Sequence, residues 1–483
     1  MQKKPIALII LDGYGYASDS KYNAVTRANT PHLHHWFKEY PHALLTASGV
    51  AVGLPEGVIG NSEVGHMTIG TGQIQDQPLV MLNTMIKNHG LDNNQLLIDA
   101  YNTLNNTDNA LHIIGLLSDA GVHAHIDHMI AFIKNAQAKG VKKIYVHAIL
   151  DGRDTPPKSA KKYLEKLEAA LGNAKLASIH GRFFAMDRDH NWDRITQSMN
   201  VLLAKASETK DWQTQLKKYY DNNITDEFIP PTLLDPRGTI KSGDGVIFCN
   251  FRPDRARQLT EKILEAVPLS FFITPVPYSP ELHTLTLIQK EDTKNTLLQR
   301  LINKGLSIFA IAETEKYAHV TYFFNGGRED KYDKEERILI PSIKIKSYAD
   351  KPCMSAVPIT DAIINSLETN PKDFYLINYA NADMVGHSGD FEATKKALEC
   401  IDQQLNRLYN EIVEKKDGTM YITSDHGNAE VMYDEQAHQP ATAHTTNPVP
   451  FIMIQKNLTG VDKNLPLTEL KDIASFIIER IKS

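Results

Sequence analysis

The stretch IALIILD, residues 6–12, is a run of six apolar residues that stops at a carboxylate. Two lysines precede it, which is how a short secretory signal begins, but no small-residue cleavage site follows. The run is far below the roughly 18 apolar residues that cross a bilayer. A short apolar run without polar alternation fits a strand buried on both faces, the kind found in parallel sheets covered by helices. Asp12 then stands just beyond the strand's carboxyl end.

The same arrangement recurs along the chain. LHIIGLL (111–117) runs into Ser118, Asp119 and His123, IYVHAIL (144–150) into DGRD, and GVIFC (245–249) into NFRPDR. IFAIA (308–312) stops at ETEK, FYLINYA (374–380) at NADMVGH, and MYITS (420–424) at DHGN. Amphipathic stretches such as KSAKKYLEKLEAAL (158–171) and DFEATKKALECIDQQLNRLYNEIVEKK (390–416) lie between these runs and read as helices. The class is therefore α/β with parallel connections. In such sheets ligands bind beyond the carboxyl ends of the strands, where all these polar clusters fall.

The clusters sort by position. Acids and histidines suited to metal come from both ends of the chain, and arginine-rich tips from the middle, between residues 118 and 257. If the metal-type groups converge, the two ends fold together and the middle is a second α/β domain inserted into the first. The expected division is 1–77 with 294–483 for the metal domain and 78–293 for the inserted one, with changeovers near Asp76–Leu82 and Gln289–Asn295. The 483 residues are too many for one ordinary core, which agrees with two domains. No low-complexity segment or internal repeat interrupts them.

The composition, 42% hydrophobic and 23% charged, is that of a soluble globular protein. A net charge of -6, from 58 acidic against 52 basic residues, gives no footprint for nucleic acid, and no segment is built for a membrane. Cys249, Cys353 and Cys400 are far apart and lack zinc spacing, so all three are expected as free thiols in a reducing cytoplasm.

Asp383 and His387 are four apart and share one face of a helical turn. Asp425 and His426 adjoin at a strand end, and His444 and Asp12 add two further tips. Each alone is commonly a turn residue or a solvated histidine; four such tips after strands suggest two divalent ions with oxygen and nitrogen ligands. Paired ions about 4 Å apart suit phosphoryl transfer. GNSEVGHMTIGTG (60–72) sets Ser62 among glycines, but Val64 occupies the second glycine position of a nucleophile elbow, so no histidine triad is implied. A cation lowers the proton affinity of a bound oxygen and supplies what Ser62 lacks. The glycines around Ser62 are expected to leave room for a phosphate. Arg153, Arg182, Arg188, Arg252 and Arg255 point to a substrate with more than one anionic group, whereas Arg194 and Arg257 read equally well as helix ion pairs. His123 and Asp154 are within one domain and suit proton transfer on a hydroxyl.

The ordered set DGYG, GNSEVGHMTIG, LLSDAGVHAH, DGRDTPP, GRFFAMDRDHNWDR, NFRPDRARQ, AETEKYAHVTYFFNGG, NADMVGH, SDHGN and AHTTNPVPF resembles cofactor-independent phosphoglycerate mutase over nearly the whole chain. That family interconverts 3-phosphoglycerate and 2-phosphoglycerate without bisphosphoglycerate, and it is similar to alkaline phosphatase in its metal-bearing domain. The resemblance implies that Asp12, Ser62, Asp425 and His426 hold one metal, with Ser62 phosphorylated, and that Asp383, His387 and His444 hold the other. It implies substrate and proton-transfer roles for His123, Arg153, Asp154, Arg182, Arg188, Arg252, Arg255 and Lys316. Asp154 is the expected acid and base, with His123 assisting and closure of the inserted domain excluding water. Two manganese ions are implied, with magnesium or cobalt as alternatives, together with a small-molecule substrate, a monomer and a cytoplasmic setting. The sequence departs from the pattern at Gly72-Gln73-Ile74-Gln75, at SDAGVHAH and at FFITPVPYSPEL. A metal-dependent phosphatase or another phosphomutase is the nearest alternative, distinguished by the arginine set and Asp154. A non-catalytic metabolite sensor is a second, and it would have lost Ser62 or a metal ligand.

Overall fold

Ile6–Leu11 forms a strand inside a seven-stranded sheet, with Ala7, Ile9 and Leu11 packed into one core layer and Leu8 and Ile10 into the other. This is why the run lacks polar alternation: helices cover both faces. The computed structural model describes residues 4–203, 211–288, 295–458 and 463–481. The chain divides into two compact units, residues 1–76 with 292–483 and residues 77–291. The second changeover was expected at Gln289–Asn295, of which 289–294 lie outside the described residues.

In the first unit the strands follow the order Glu335–Ile340, Ile308–Glu313, Phe374–Tyr379, Ile6–Leu11, Thr419–Thr423, Val449–Gln455, His42–Leu45. The first five are mutually parallel, and Val449–Gln455 is antiparallel to both its neighbours. These five neighbouring parallel strands thus present their carboxyl ends along one edge of the sheet.

The second unit holds another seven-stranded sheet, ordered Thr232–Leu233, Lys175–Gly181, Ile144–Leu150, Leu111–Leu117, Gly245–Phe248, Phe271–Thr274, Leu285–Thr286. All pairs are parallel except the first. Ile113 and Leu117 face one core layer and Ile114 and Leu116 the other. One polar line crosses this apolar sheet. Asp244 Oδ2 lies 3.1 Å from His112 Nε2, His112 Nδ1 3.0 Å from His147 Nε2, His147 Nδ1 2.7 Å from Ser178 Oγ, and Ser178 Oγ 2.7 Å from His180 Nε2. A carboxylate only accepts, so the bond to Asp244 fixes the direction of every later bond in the line.

Among the described residues no helix is long and apolar enough to cross a membrane. The expectation of three free thiols is corrected: Cys353 is joined to Cys400, their Cα atoms 5.6 Å apart, and Cys249 alone is free and buried. The turn before helix Ala356–Thr369 lies against helix Phe391–Tyr409. That contact joins residues 47 apart, which cysteine spacing does not reveal.

Candidate functional site

In the first unit four adjacent strand ends deliver Lys316, Asp383, Asp12 and the pair Asp425–His426. Lys316 follows Ile308–Glu313, Asp383 follows Phe374–Tyr379, Asp12 follows Ile6–Leu11, and Asp425 with His426 follows Thr419–Thr423. Asp383 lies in helix Asn381–Gly386, and His387 caps it. His444 comes from the loop before Val449–Gln455.

Ser62 is the first residue of helix Ser62–Thr71, whose cap residue Asn61 accepts the Val64 N–H at 3.1 Å. The glycine-framed stretch is therefore a helix start. A Cβ on Gly65 would lie 2.5 Å from the Asp425 carbonyl oxygen, and one on Gly60 2.1 Å from that of Ala47. These glycines let the helix approach neighbouring backbone, a different duty from the expected clearance for phosphate.

Around Ser62 Oγ lie His426 Nε2 at 3.0 Å and Asp12 Oδ1 at 3.2 Å, while Lys316 Nζ donates to it at 2.7 Å. A histidine thus does stand beside the serine, 364 residues away in sequence. Lys316, expected among the substrate-holding positions, also pairs with Asp12 Oδ1 at 2.6 Å and Asp383 Oδ2 at 2.8 Å. Burial works against its charge, but Asp12, Asp383 and Asp425 outweigh it and raise its proton affinity.

A second cluster adjoins. Asp383 Oδ1 lies 3.2 Å from His387 Nε2 and 3.0 Å from His444 Nε2, and those two nitrogens are 3.1 Å apart. His387 Nδ1 faces the Thr442 carbonyl at 2.7 Å and His444 Nδ1 the Gly60 carbonyl at 2.8 Å. Carbonyls only accept, so in the neutral rings the protons sit on Nδ1 and both Nε2 atoms offer lone pairs. Two lone pairs and a carboxylate oxygen turned on one point have no proton to share, and a cation satisfies all three.

The Asp12–Asp425 side fits a cation equally well. The buried Asp425 Oδ2 has no hydrogen-bond donor among the described residues, and His426 Nε2 stands 3.5 Å from both Asp12 Oδ1 and Asp425 Oδ2. Burial disfavours a charged His426, yet Asp425 and then Asp12 and Asp383 raise it to about 9. The bond to Asp383 raises His387 in the same way. Burial opposes ionisation of Asp383 and Asp425, but Lys316 for the first and His426 for the second hold them below the usual carboxylate range. This surplus of negative charge attracts protons when no metal is bound and a divalent cation when one is available. Among the described residues, two of the three acid and histidine groups close enough to share an ion are Asp383–His387–His444 and Asp12–Asp383–His426.

Some groups here were not expected from the sequence. Asn428 donates to Asp383 Oδ1 at 2.9 Å, and Glu430 ties the SDHGN loop to Thr445 and Asn447. His66 and Asn378 lie behind Asp12 and Asp425. The signals were present: His66 is one helical turn after Ser62, and Asn378 is a polar residue inside an otherwise apolar strand.

In the second unit the carboxyl ends of adjacent strands carry Arg182, Arg153 with Asp154, His123, and Arg252 with Arg255. Arg182 is buried, and its Nη1 lies 2.6 Å from both Asp151 Oδ1 and Asp154 Oδ2. Asp254, unexpected from the sequence, gathers Arg188 Nη1 at 2.8 Å, Arg252 Nε at 3.2 Å and His123 Nδ1 at 3.6 Å. Arg153 pairs with Glu227, and Arg255 donates to the Met186 carbonyl at 3.2 Å. Arg153, Arg182, Arg194 and Arg255 line one pocket with Glu227 and Asp187. Arg194 pairs with Asp187 at 2.9 Å, and Arg257 is spent on the Tyr278 carbonyl. Burial and the nearby Arg182 push His123 down to about 4, so it is neutral at physiological pH. Burial, then Arg188, Arg153 and Arg182, lower the proton affinity of Arg255. That crowding of positive charge is what an anion relieves.

Residues 4–483 match the Metalloenzyme superfamily. The chain is 44% identical over 498 residues to 2,3-bisphosphoglycerate-independent phosphoglycerate mutase of Clostridium beijerinckii, covering 100% of this chain and 97% of that protein. The enzyme of the same name from Saccharophagus degradans is 44% identical over 487 residues, 97% of this chain and 94% of that one. Among solved structures, Leishmania mexicana phosphoglycerate mutase at low cobalt concentration aligns with a TM-score of 0.66 and 30% identity, covering 99% of this chain and 95% of that one.

Proposed function

The chain belongs to the family of 2,3-bisphosphoglycerate-independent phosphoglycerate mutases, metal-dependent enzymes that interconvert 3-phosphoglycerate and 2-phosphoglycerate, and from that premise we propose how its own residues carry the phosphoryl group. Ser62 is the nucleophile. Its Oγ attacks phosphorus, the bond from phosphorus to the 3-oxygen breaks, and a phosphoserine forms beside bound glycerate. The glycerate then turns, its 2-oxygen attacks the same phosphorus, and Ser62 Oγ leaves.

The 3-oxygen gains a proton as it departs, and the 2-hydroxyl loses one as it attacks. Ser62 Oγ attacks and leaves in the same deprotonated state, so the one proton that Asp154 gives to the 3-oxygen and takes back from the 2-hydroxyl, with His123 assisting, balances the cycle. Lys316, 2.7 Å from Ser62 Oγ, stabilises the negative charge that oxygen carries in both transfers. Arg153, Arg182, Arg188, Arg252 and Arg255 in the inserted domain hold the carboxylate and phosphate, which keeps glycerate bound while it turns. When bound, two manganese ions, or magnesium or cobalt, supply positive charge that eases loss of the Ser62 proton and offsets the phosphate oxygens. Asp12, Ser62, Asp425 and His426 would hold one, and Asp383, His387 and His444 the other. Every residue named comes from one chain, so the reading requires no second copy.

The observation that carries this reading is the convergence of Asp12, His426 and Lys316 on Ser62 Oγ beside a second lone-pair cluster at Asp383. A coupled assay on 3-phosphoglycerate without bisphosphoglycerate tests it. Activity is expected to vanish on chelation and return with manganese. Full turnover by the chelated protein would refute it.

A further inference from the structure

Asp12, His66 and Asp425 form a third group close enough to share an ion, and all three are buried. The hydrogen bonds say that His66 is not a ligand. Asn378 Nδ2 lies 2.9 Å from Asp12 Oδ2 and 3.0 Å from His66 Nε2. A carboxylate oxygen only accepts, so the amide nitrogen of Asn378, and not its oxygen, faces Asp12. Its second hydrogen then goes to His66 Nε2, which must supply the lone pair. The His66 proton is left on Nδ1, where it is donated to the Ser62 carbonyl at 2.9 Å. Both ring nitrogens are used, and neither can bind a metal.

The same ring lies with Nδ1 3.1 Å from Asp425 Oδ2, yet that oxygen keeps no donor of its own. We propose that Asn378 and His66 form a positioning pair that sets Asp12 and the Ser62 backbone for one cation while leaving Asp12 Oδ1 and Asp425 Oδ2 to it. The pair stands on the side of Asp12 away from Ser62 Oγ: Asn378 takes Oδ2, whereas Oδ1 faces Ser62, His426 and Lys316. Asn378 therefore orients the carboxylate without occupying the oxygen turned to the nucleophile. His66, four residues after Ser62 on the same helix, ties that orientation to the serine's own backbone. Partners of this kind commonly govern metal affinity by about 10- to 100-fold.

This inference rests on the two-ion reading above, and the test separates the two. Mn2+ is titrated calorimetrically into chelated full-length protein, wild type beside Asn378→Leu, which keeps the side chain's shape and removes both donors. The wild type is expected to take up two ions. Asn378→Leu should weaken one of them by about 10- to 100-fold and leave the other, at Asp383, His387 and His444, unchanged. His66→Gln, which retains an N–H and an acceptor, should recover part of the loss that His66→Leu produces. Two unchanged sites in Asn378→Leu would overturn the pairing. An equal weakening of both sites, with an earlier melt of the chelated variant, would make Asn378 a general support of the fold and overturn it as well. A wild type that takes up fewer than two ions would instead defeat the two-ion reading, and the pairing with it.

Discussion

Replacing Lys316 with methionine removes the ammonium that lies 2.6 Å from Asp12 Oδ1 and 2.8 Å from Asp383 Oδ2. The side chain is 5% exposed and the two carboxylates 0% and 3%, so water cannot take its part. Breaking a buried pair by removing one partner costs about 3–5 kcal/mol, because the remaining charge is left uncompensated. For a unit of this size that is a fall of roughly 6–20 °C in melting temperature. The loss should appear in the chelated protein. Manganese should reverse much of it, because lysine and cation compete for the same carboxylates, and by linkage the variant binds the metal more tightly. Calorimetry of both proteins, with chelator and with manganese, measures all four states. Turnover of the loaded variant should fall by about 10²- to 10³-fold, the usual cost of losing one group that stabilises developing charge. A chelated variant that melts with the chelated wild type would refute the electrostatic account of this cluster.

Two further outcomes concern groups that take no part in the proposed reaction. Thiol titration of the unfolded, unreduced protein should find only Cys249, and Cys353→Ser should lower stability by roughly 4 kcal/mol, the loop-closure term for 47 residues; three titratable thiols would remove the Cys353–Cys400 bridge. Burial holds His112, His147 and His180 below the usual histidine value of 6.5, the last at about 3. The unfolded chain therefore binds protons first, so their contribution to stability is complete above pH 6.5 and is lost as pH falls, by about 1.4 kcal/mol per pH unit for His180, whose value is about 3. Fluorescence of Trp212, buried in the same unit, should report denaturant midpoints that fall steeply from pH about 6.5 to about 5. A flat midpoint across that range would contradict the neutral histidine line.

Much of this was legible in the sequence because buried parallel strands leave a local mark. Residues 6–11, 111–117 and 144–150 are strands with the limits of their apolar runs, and each ends where a charged cluster begins. Ligand candidates could be picked out since a carboxylate or histidine directly after a buried strand has no other reason to recur. What remained hidden depends on contacts between distant residues. The Cys353–Cys400 bridge arises where the turn before helix Ala356–Thr369 packs against helix Phe391–Tyr409. Asp254 gathering Arg188, Arg252 and the neutral His123 is a product of strand order, which no spacing encodes. The helix beginning at Ser62 was obscured by its glycines, which resemble a loop in sequence but serve close backbone approach in three dimensions.

Phosphorylation of Ser62 is the step on which the proposed mechanism turns. Manganese-loaded protein mixed with phosphoglycerate, quenched in acid and digested, gives the peptide containing residues 60–72 for mass spectrometry. The account predicts one phosphoryl group on Ser62, present with substrate and absent in the chelated protein. Full turnover with Ser62 unmodified, and phosphate on another residue or on none, would contradict it.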